Sequence, residues 1–168
     1  PEVGSLHNAN ARLQPELLSI GTANNEFSAL YSIIARTSKL INLIAEKDGF
    51  KQAKEAGEVN DWTQLYGESL SMKAFCYFEL VKHYGDVPYG YENTSAAQYS
   101  LNSRFDILDN VIDMFKEAAP YMYRLGEGGI TAERMSRGFA EAMAGMAALY
   151  SGGWQTVRTD VQGLYGDV

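Results

Sequence analysis

Apolar residues return at three- and four-residue steps over four separate stretches of the chain, the spacing of helices that bury one face. The first stretch, from about Glu26 to Glu46, places Phe27, Leu30, Tyr31, Ile34, Ser38, Ile41 and Ala45 on one stripe. The second opens at Asn60 and Asp61, short polar residues that can cap the first-turn amides ahead of Trp62. It carries two stripes, Leu65, Met72, Cys76 and Leu80 on one side and Tyr66, Leu70, Tyr77, Val81 and Tyr84 on another. A helix apolar over so much of its circumference is predicted to be the central one, wrapped by neighbours. Gly85 suits a left-handed cap at its end, and Pro88 prevents it from resuming. The third stretch begins at Ser103, whose hydroxyl can cap while Asp106 reaches back from the third helical position. Its expected buried stripe is Phe105, Leu108, Ile112, Phe115 and Ala119. The fourth starts near Thr131 and is expected to bury Met135, Phe139, Ala142, Met146 and Leu149. Its small residues Ala140, Ala144, Gly145, Ala147 and Ala148 let two helix axes approach closely. No strand-like alternation of useful length appears. The predicted class is all-α, with an irregular polar lead-in over residues 1–24 and a helical domain over 25–168.

A chain of 168 residues fits one domain, and a domain of that size buries roughly 70% of its unfolded surface. A net charge of -7 without a basic cluster removes the counterion-release term on which nucleic-acid and anionic-membrane binders depend. Charges interrupt every apolar run before the roughly 20 residues a bilayer-spanning helix requires. Cys76 stands alone in mid-helix, which excludes an intrachain disulfide and reads as a packing thiol.

Catalytic chemistry is thinly supplied. His7 lies in the lead-in, and His83 sits one turn after Glu79 at a helix carboxyl end, where the dipole favours it. There is no HExxH, CxxC or phosphate loop, and so no catalytic, cofactor or metal residue is assigned. Gly126-Glu127-Gly128-Gly129 lacks the preceding strand and the Lys-Ser/Thr of a phosphate cradle and reads as a helix-helix connector. Asp106, Asp109, Asp113 and Glu117 recur at helical spacing and describe the solvated face of an amphipathic helix. Binding is better provided for, with 11 tyrosines and 2 tryptophans. Tyr31, Tyr66 and Tyr77 fall on helical stripes and belong to the core. Tyr89, Tyr91 and Tyr99 fall in the loop after Pro88, where a ring has no periodic reason to be buried and where loops carry recognition. A second polar surface is the lead-in, with His7, Asn8, Asn10, Arg12, Gln14, Asn24 and Asn25 offering paired donors and acceptors for hydroxyls or a peptide backbone. The candidate ligand-binding set is Asn8, Asn10, Arg12, Asn24, Tyr89 and Tyr91.

The run from Gly67-Glu68 through Lys73-Ala74-Phe75, Tyr77-Phe78, Leu80-Val81 and Tyr84-Gly85-Asp86-Val87-Pro88 resembles the helix-plus-GDVP signature of the SusD/RagB outer-membrane nutrient-binding lipoproteins of Bacteroidetes. Lys73 stands where Arg is usual, and Ser69 where Ala is usual. Phe27 to Arg36 looks like the family's first long helix, with Thr37 where Asn usually follows, and Ile130 to Trp154 resembles the next helix and its exit. Family members are much longer, so the resemblance implies an amino-terminal portion of a partial chain. It also implies a SusD-like α-helical fold of tetratricopeptide-like helical pairs; the chain's own internal repeat is weak beyond Trp62 and Leu65. The implied function is non-catalytic. A surface-exposed lipoprotein captures oligosaccharides and hands them to a SusC-like TonB-dependent transporter, trapping ligand under a hinged lid. The lipid anchor is implied by the family and not shown by these residues. The tryptophan pair of some starch-binding relatives has no counterpart in the lead-in. The alternatives are a RagB-like peptide receptor, a helical-repeat scaffold for protein partners and, weakest, a hydrolase.

Overall fold

The computed structural model describes residues 20–90 and 100–152, with side chains from residue 26 onward. Among these residues the regular structure is helical, apart from one isolated antiparallel bridge between Val87 and Asn102. The elements are α1 (Ile20–Ala45), α2 (Asp48–Ala56), α3 (Asp61–Tyr84), α4 (Arg104–Ala118), a 3-10 turn (Ala119–Tyr121) and α5 (Arg137–Tyr150).

The local signals act where they were placed at the central helix. Asn60 Oδ1 accepts from the amides of Trp62 and Thr63, while Thr63 Oγ1 accepts from the Asn60 amide, a reciprocal cap. At the other end Gly85 has φ 75° as expected, but its ψ of -123° lies outside the left-handed helical region and in a part of backbone space that glycine alone occupies with ease. Pro88 follows and the helix stops. Ser103 caps α4 by accepting from the Phe105 amide. The second acceptor at that terminus is Asp86, which takes the Arg104 amide at 2.9 Å, in place of the Asp106 predicted to close the cap.

Helix α3 is the innermost element. It is flanked by α1 on one side and α4 on the other, and also meets α2, α5 and the 3-10 turn. Tyr77, Phe78, Leu80, Ala74 and Cys76 along it are buried. Successive long helices run antiparallel. Phe27 near the start of α1 meets Tyr84 at the end of α3; Tyr66 at the start of α3 reaches Glu117 at the end of α4; Phe115 late in α4 meets Phe139 early in α5. This is the helical-pair arrangement the sequence pointed to.

Several expectations are corrected. Helix α1 begins at Ile20 and not near Glu26, so Asn24 and Asn25 belong to it, and Ala45 at its far end is exposed. The short helix α2, closed by Gly57 in a left-handed cap, interrupts a stretch expected to be loop. Phe105, on the first turn of α4, is 48% exposed, with the Arg104 guanidinium 4.9 Å from its ring centre. Ile107, Leu108, Val111, Ile112, Phe115, Ala118 and Ala119 form the real stripe.

The last helix differs most. It begins at Arg137 and not near Thr131, capped by Ser136, and its buried positions are Ala140 and Ala147. Ala142, Met146 and Leu149 face outward, Leu149 at 73% exposure. The connector before it is tied to α3. Gln64 is 1% exposed, and its amide donates to the Met135 carbonyl and to Glu68 while accepting from the Tyr123 amide at 2.7 Å. A buried amide must find such partners. It takes backbone groups at both ends of the connector.

Candidate functional site

The end of α3 and the start of α1 meet at the turn Gly85–Gly90. Residues 86–90 of this turn are held by groups from α1, α3 and the segment before and at the start of α4. The Asp86 carboxylate caps α4 through Arg104. Val87 is buried, and its carbonyl accepts from the Asn102 amide at 3.0 Å. The Tyr31 phenol of α1 donates to the Pro88 carbonyl at 2.5 Å. The Tyr89 amide donates to Asn102 Oδ1 at 3.1 Å, and the Gly90 amide reaches the Tyr77 phenol at 3.4 Å.

Around these bonds lies a chain of rings. Phe27 packs 4.8 Å from Tyr31 and 5.2 Å, edge-on, from Tyr84. Tyr31 meets Tyr77 edge-on at 6.4 Å, and Tyr77 lies 4.7 Å from Tyr89. Tyr89 is half-buried and packed against the core. An aromatic ring beside polar turn groups is the combination that meets the apolar face of a sugar together with its hydroxyls. The charges nearby are engaged: Glu79 pairs with Lys82 at 2.7 Å and with His83 at 3.2 Å.

Of the predicted ligand residues, Tyr89 occupies this turn, and Asn24 lies in α1, one turn before Phe27. Phe27, Tyr31, Tyr77 and Tyr89 link the first described side chains of α1 to the turn after Pro88, while the side chain of Asn24 lies outside the described residues. Asn8, Asn10, Arg12 and Tyr91 lie outside the described residues, as do His7, Gln14 and Tyr99. Tyr31 and Tyr77 were assigned to packing alone. Their phenols also hold the turn, and Asn102 went unnoticed. Nothing local marks these roles, because the Tyr31 partner is 57 positions away.

The other polar features resolve into structural parts. At the opposite end of the bundle Phe50, Tyr66 and Tyr121 form a second ring cluster. There Tyr66 donates to Glu117 at 2.8 Å, and burial first, then that bond, pushes its phenol far above the ordinary range. Asp109 accepts from Ser151, and Asp106 and Asp113 are exposed. Burial pushes the Cys76 thiol up to about 11, with the Glu79 charge adding to it, so it is a protonated packing group at neutral pH. Among the described residues no three His, Cys, Asp or Glu side chains are grouped to hold a metal ion, and no helix is long and apolar enough to cross a membrane.

Comparison with known proteins gives this geometry a setting. The SusD-like family, described as starch-binding and associating with the outer membrane, matches residues 5–121. Among solved structures, a SusD-like carbohydrate-binding protein from Bacteroides fragilis superposes with a TM-score of 0.66 at 20% identity, over 79% of this chain and 25% of that one. The surface glycan-binding protein A from Bacteroides fluxus gives 0.63 at 19%, over 80% and 27%. A laminarin-binding SusD-like protein gives 0.63 at 19%, over 84% and 29%. At such identities the likeness is one of fold, and the chain spans about a quarter of the length of these structures. No curated protein matches.

Proposed function

This chain belongs to the SusD-like family, and from that membership we propose that it forms part of an outer-membrane nutrient receptor that captures oligosaccharides. The observation that carries the reading is the ring-lined turn at Tyr89, held where the start of α1 meets the end of α3. In the proposed site Tyr89 and Tyr91 supply stacking faces, and Asn8, Asn10, Arg12 and Asn24 supply hydrogen bonds to hydroxyls. Capture is binding without turnover. The receptor sits on the cell surface and passes its ligand to a SusC-like TonB-dependent transporter, the closed assembly being favoured by contacts that ligand makes only there.

Calorimetry with starch oligosaccharides, laminarin oligosaccharides and a peptide library tests the first step. Saturable heat from one glycan class is the expected result. Heat from peptides alone replaces the ligand class, and no heat from any of them rejects the capture role. Affinity purification from outer membranes tests the second step: a TonB-dependent barrel is expected to co-purify, and its absence removes delivery from the scheme.

A further inference from the structure

The bonds that hold the turn after α3 are not those of ordinary chain reversal. A turn of this length closes on its own backbone; here the carbonyl of Pro88 and the amides of Tyr89 and Gly90 are all taken by side chains, from Tyr31, Asn102 and Tyr77. Asn102 grips from both ends, since its amide also donates to the Val87 carbonyl. These side chains come from α1, α3 and the segment before α4, so the turn is located relative to three elements at once. The Tyr89 ring that emerges from it leans on Tyr77, whose own phenol is one of the tethers.

We infer that Tyr31 and Asn102 are positioning residues for carbohydrate binding: they touch no ligand, and they set the attitude in which Tyr89 presents its ring. The inference rests on the reading of Tyr89 as a ligand contact. Its physical basis is pre-organisation. A ring already fixed in its bound orientation loses little conformational freedom when a sugar stacks on it, whereas a turn released from its tethers must be ordered again at each binding event. Both residues therefore act on affinity from beneath the binding surface.

The test combines calorimetry, using whichever of the starch or laminarin oligosaccharides the wild-type protein binds, with amide hydrogen exchange. The variants are Asn102→Ala, Asn102→Asp, Tyr31→Phe and Tyr89→Ala. Asn102→Ala removes the acceptor of the Tyr89 amide, and that amide is expected to exchange about 10-fold faster or more while the buried Leu80 amide is unchanged. Asn102→Asp keeps an acceptor oxygen and is expected to restore slow exchange. Asn102→Ala and Tyr31→Phe are each expected to weaken binding about 5-fold or more, the scale of one lost hydrogen bond. Unchanged exchange at Tyr89 overturns the inference. So does faster exchange with wild-type affinity, and so does a Tyr89→Ala protein that binds as the wild type does. Failure of the functional reading has its own signature. Wild-type protein that binds no glycan, while Asn102→Ala still speeds exchange at Tyr89, rejects capture and retains the tether.

Discussion

Gly67 gives the sharpest test of how α3 is seated. It is a helix-interior glycine, and replacing such a residue by alanine ordinarily stabilises by about 1 kcal/mol through helix propensity. At this position the sign is expected to reverse. A Cβ built on Gly67 lies 2.3 Å from Met122 Cγ, 3.1 Å from Met122 Sδ and 3.1 Å from the Ala118 carbonyl. Carbon atoms prefer roughly 3.5–4.0 Å, so Met122 would have to retreat by more than an ångström, and it is itself 2% exposed with no open space to enter. The carbonyl belongs to the last turn of α4 and cannot swing aside. Overpacking of this kind costs about 1–3 kcal/mol, which leaves Gly67→Ala destabilised by up to about 2 kcal/mol after the propensity gain. Gly145 in α5 is the control, since its added Cβ meets nothing within 4 Å. Gly145→Ala is expected to stabilise by about 0.5–1 kcal/mol. Urea unfolding followed by circular dichroism measures both, and repeating Gly67→Ala in a Met122→Ala background isolates the contact. A Gly67→Ala protein as stable as Gly145→Ala would refute the packing argument, and a penalty that persists in full without the Met122 side chain would assign it to the Ala118 carbonyl alone.

Three further outcomes are expected. Gln64→Met keeps volume but strands the Tyr123 amide and the Met135 carbonyl, and should cost about 2–4 kcal/mol in urea melts; a loss under about 0.5 kcal/mol would show that the connector finds other partners. Ser38 Oγ is buried with no hydrogen-bond partner among the described residues, so Ser38→Ala should stabilise by about 0.5–1.5 kcal/mol, and destabilisation would mean that the hydroxyl is bonded. Cys76 has a folded pKa of about 11 against an ordinary value of 9.0. Its contribution is fully present below pH 9 and is lost as pH rises towards 11, since the unfolded thiol gives up its proton first. Above pH 9 wild type should therefore lose up to about 1.4 kcal/mol more per pH unit than Cys76→Ala, and parallel pH profiles would contradict the burial argument.

The sequence by itself determined the all-α class, the central place of α3 and the points where its chain starts and stops. Asn60, Thr63, Gly85, Pro88 and Ser103 act on backbone groups within a few positions of themselves, through a cap, a positive φ or a missing amide. Such effects need no knowledge of the remaining chain, and the two stripes of α3 announce burial on several sides for the same reason. Tertiary structure alone decided which faces of α4 and α5 are covered, where α5 begins, and which side chains hold the candidate site. Gln64 holds the Met135 carbonyl ahead of α5 from 71 positions away, Tyr31 holds Pro88 from 57, and Tyr66 finds Glu117 across 51. Periodicity reports only that a helix has an apolar side. Which of its apolar residues meet a neighbour, and which polar atoms must find partners there, depends on the axis and rotation at which two helices come together. That choice belongs to the packed core as a whole, and no stretch of sequence holds it locally.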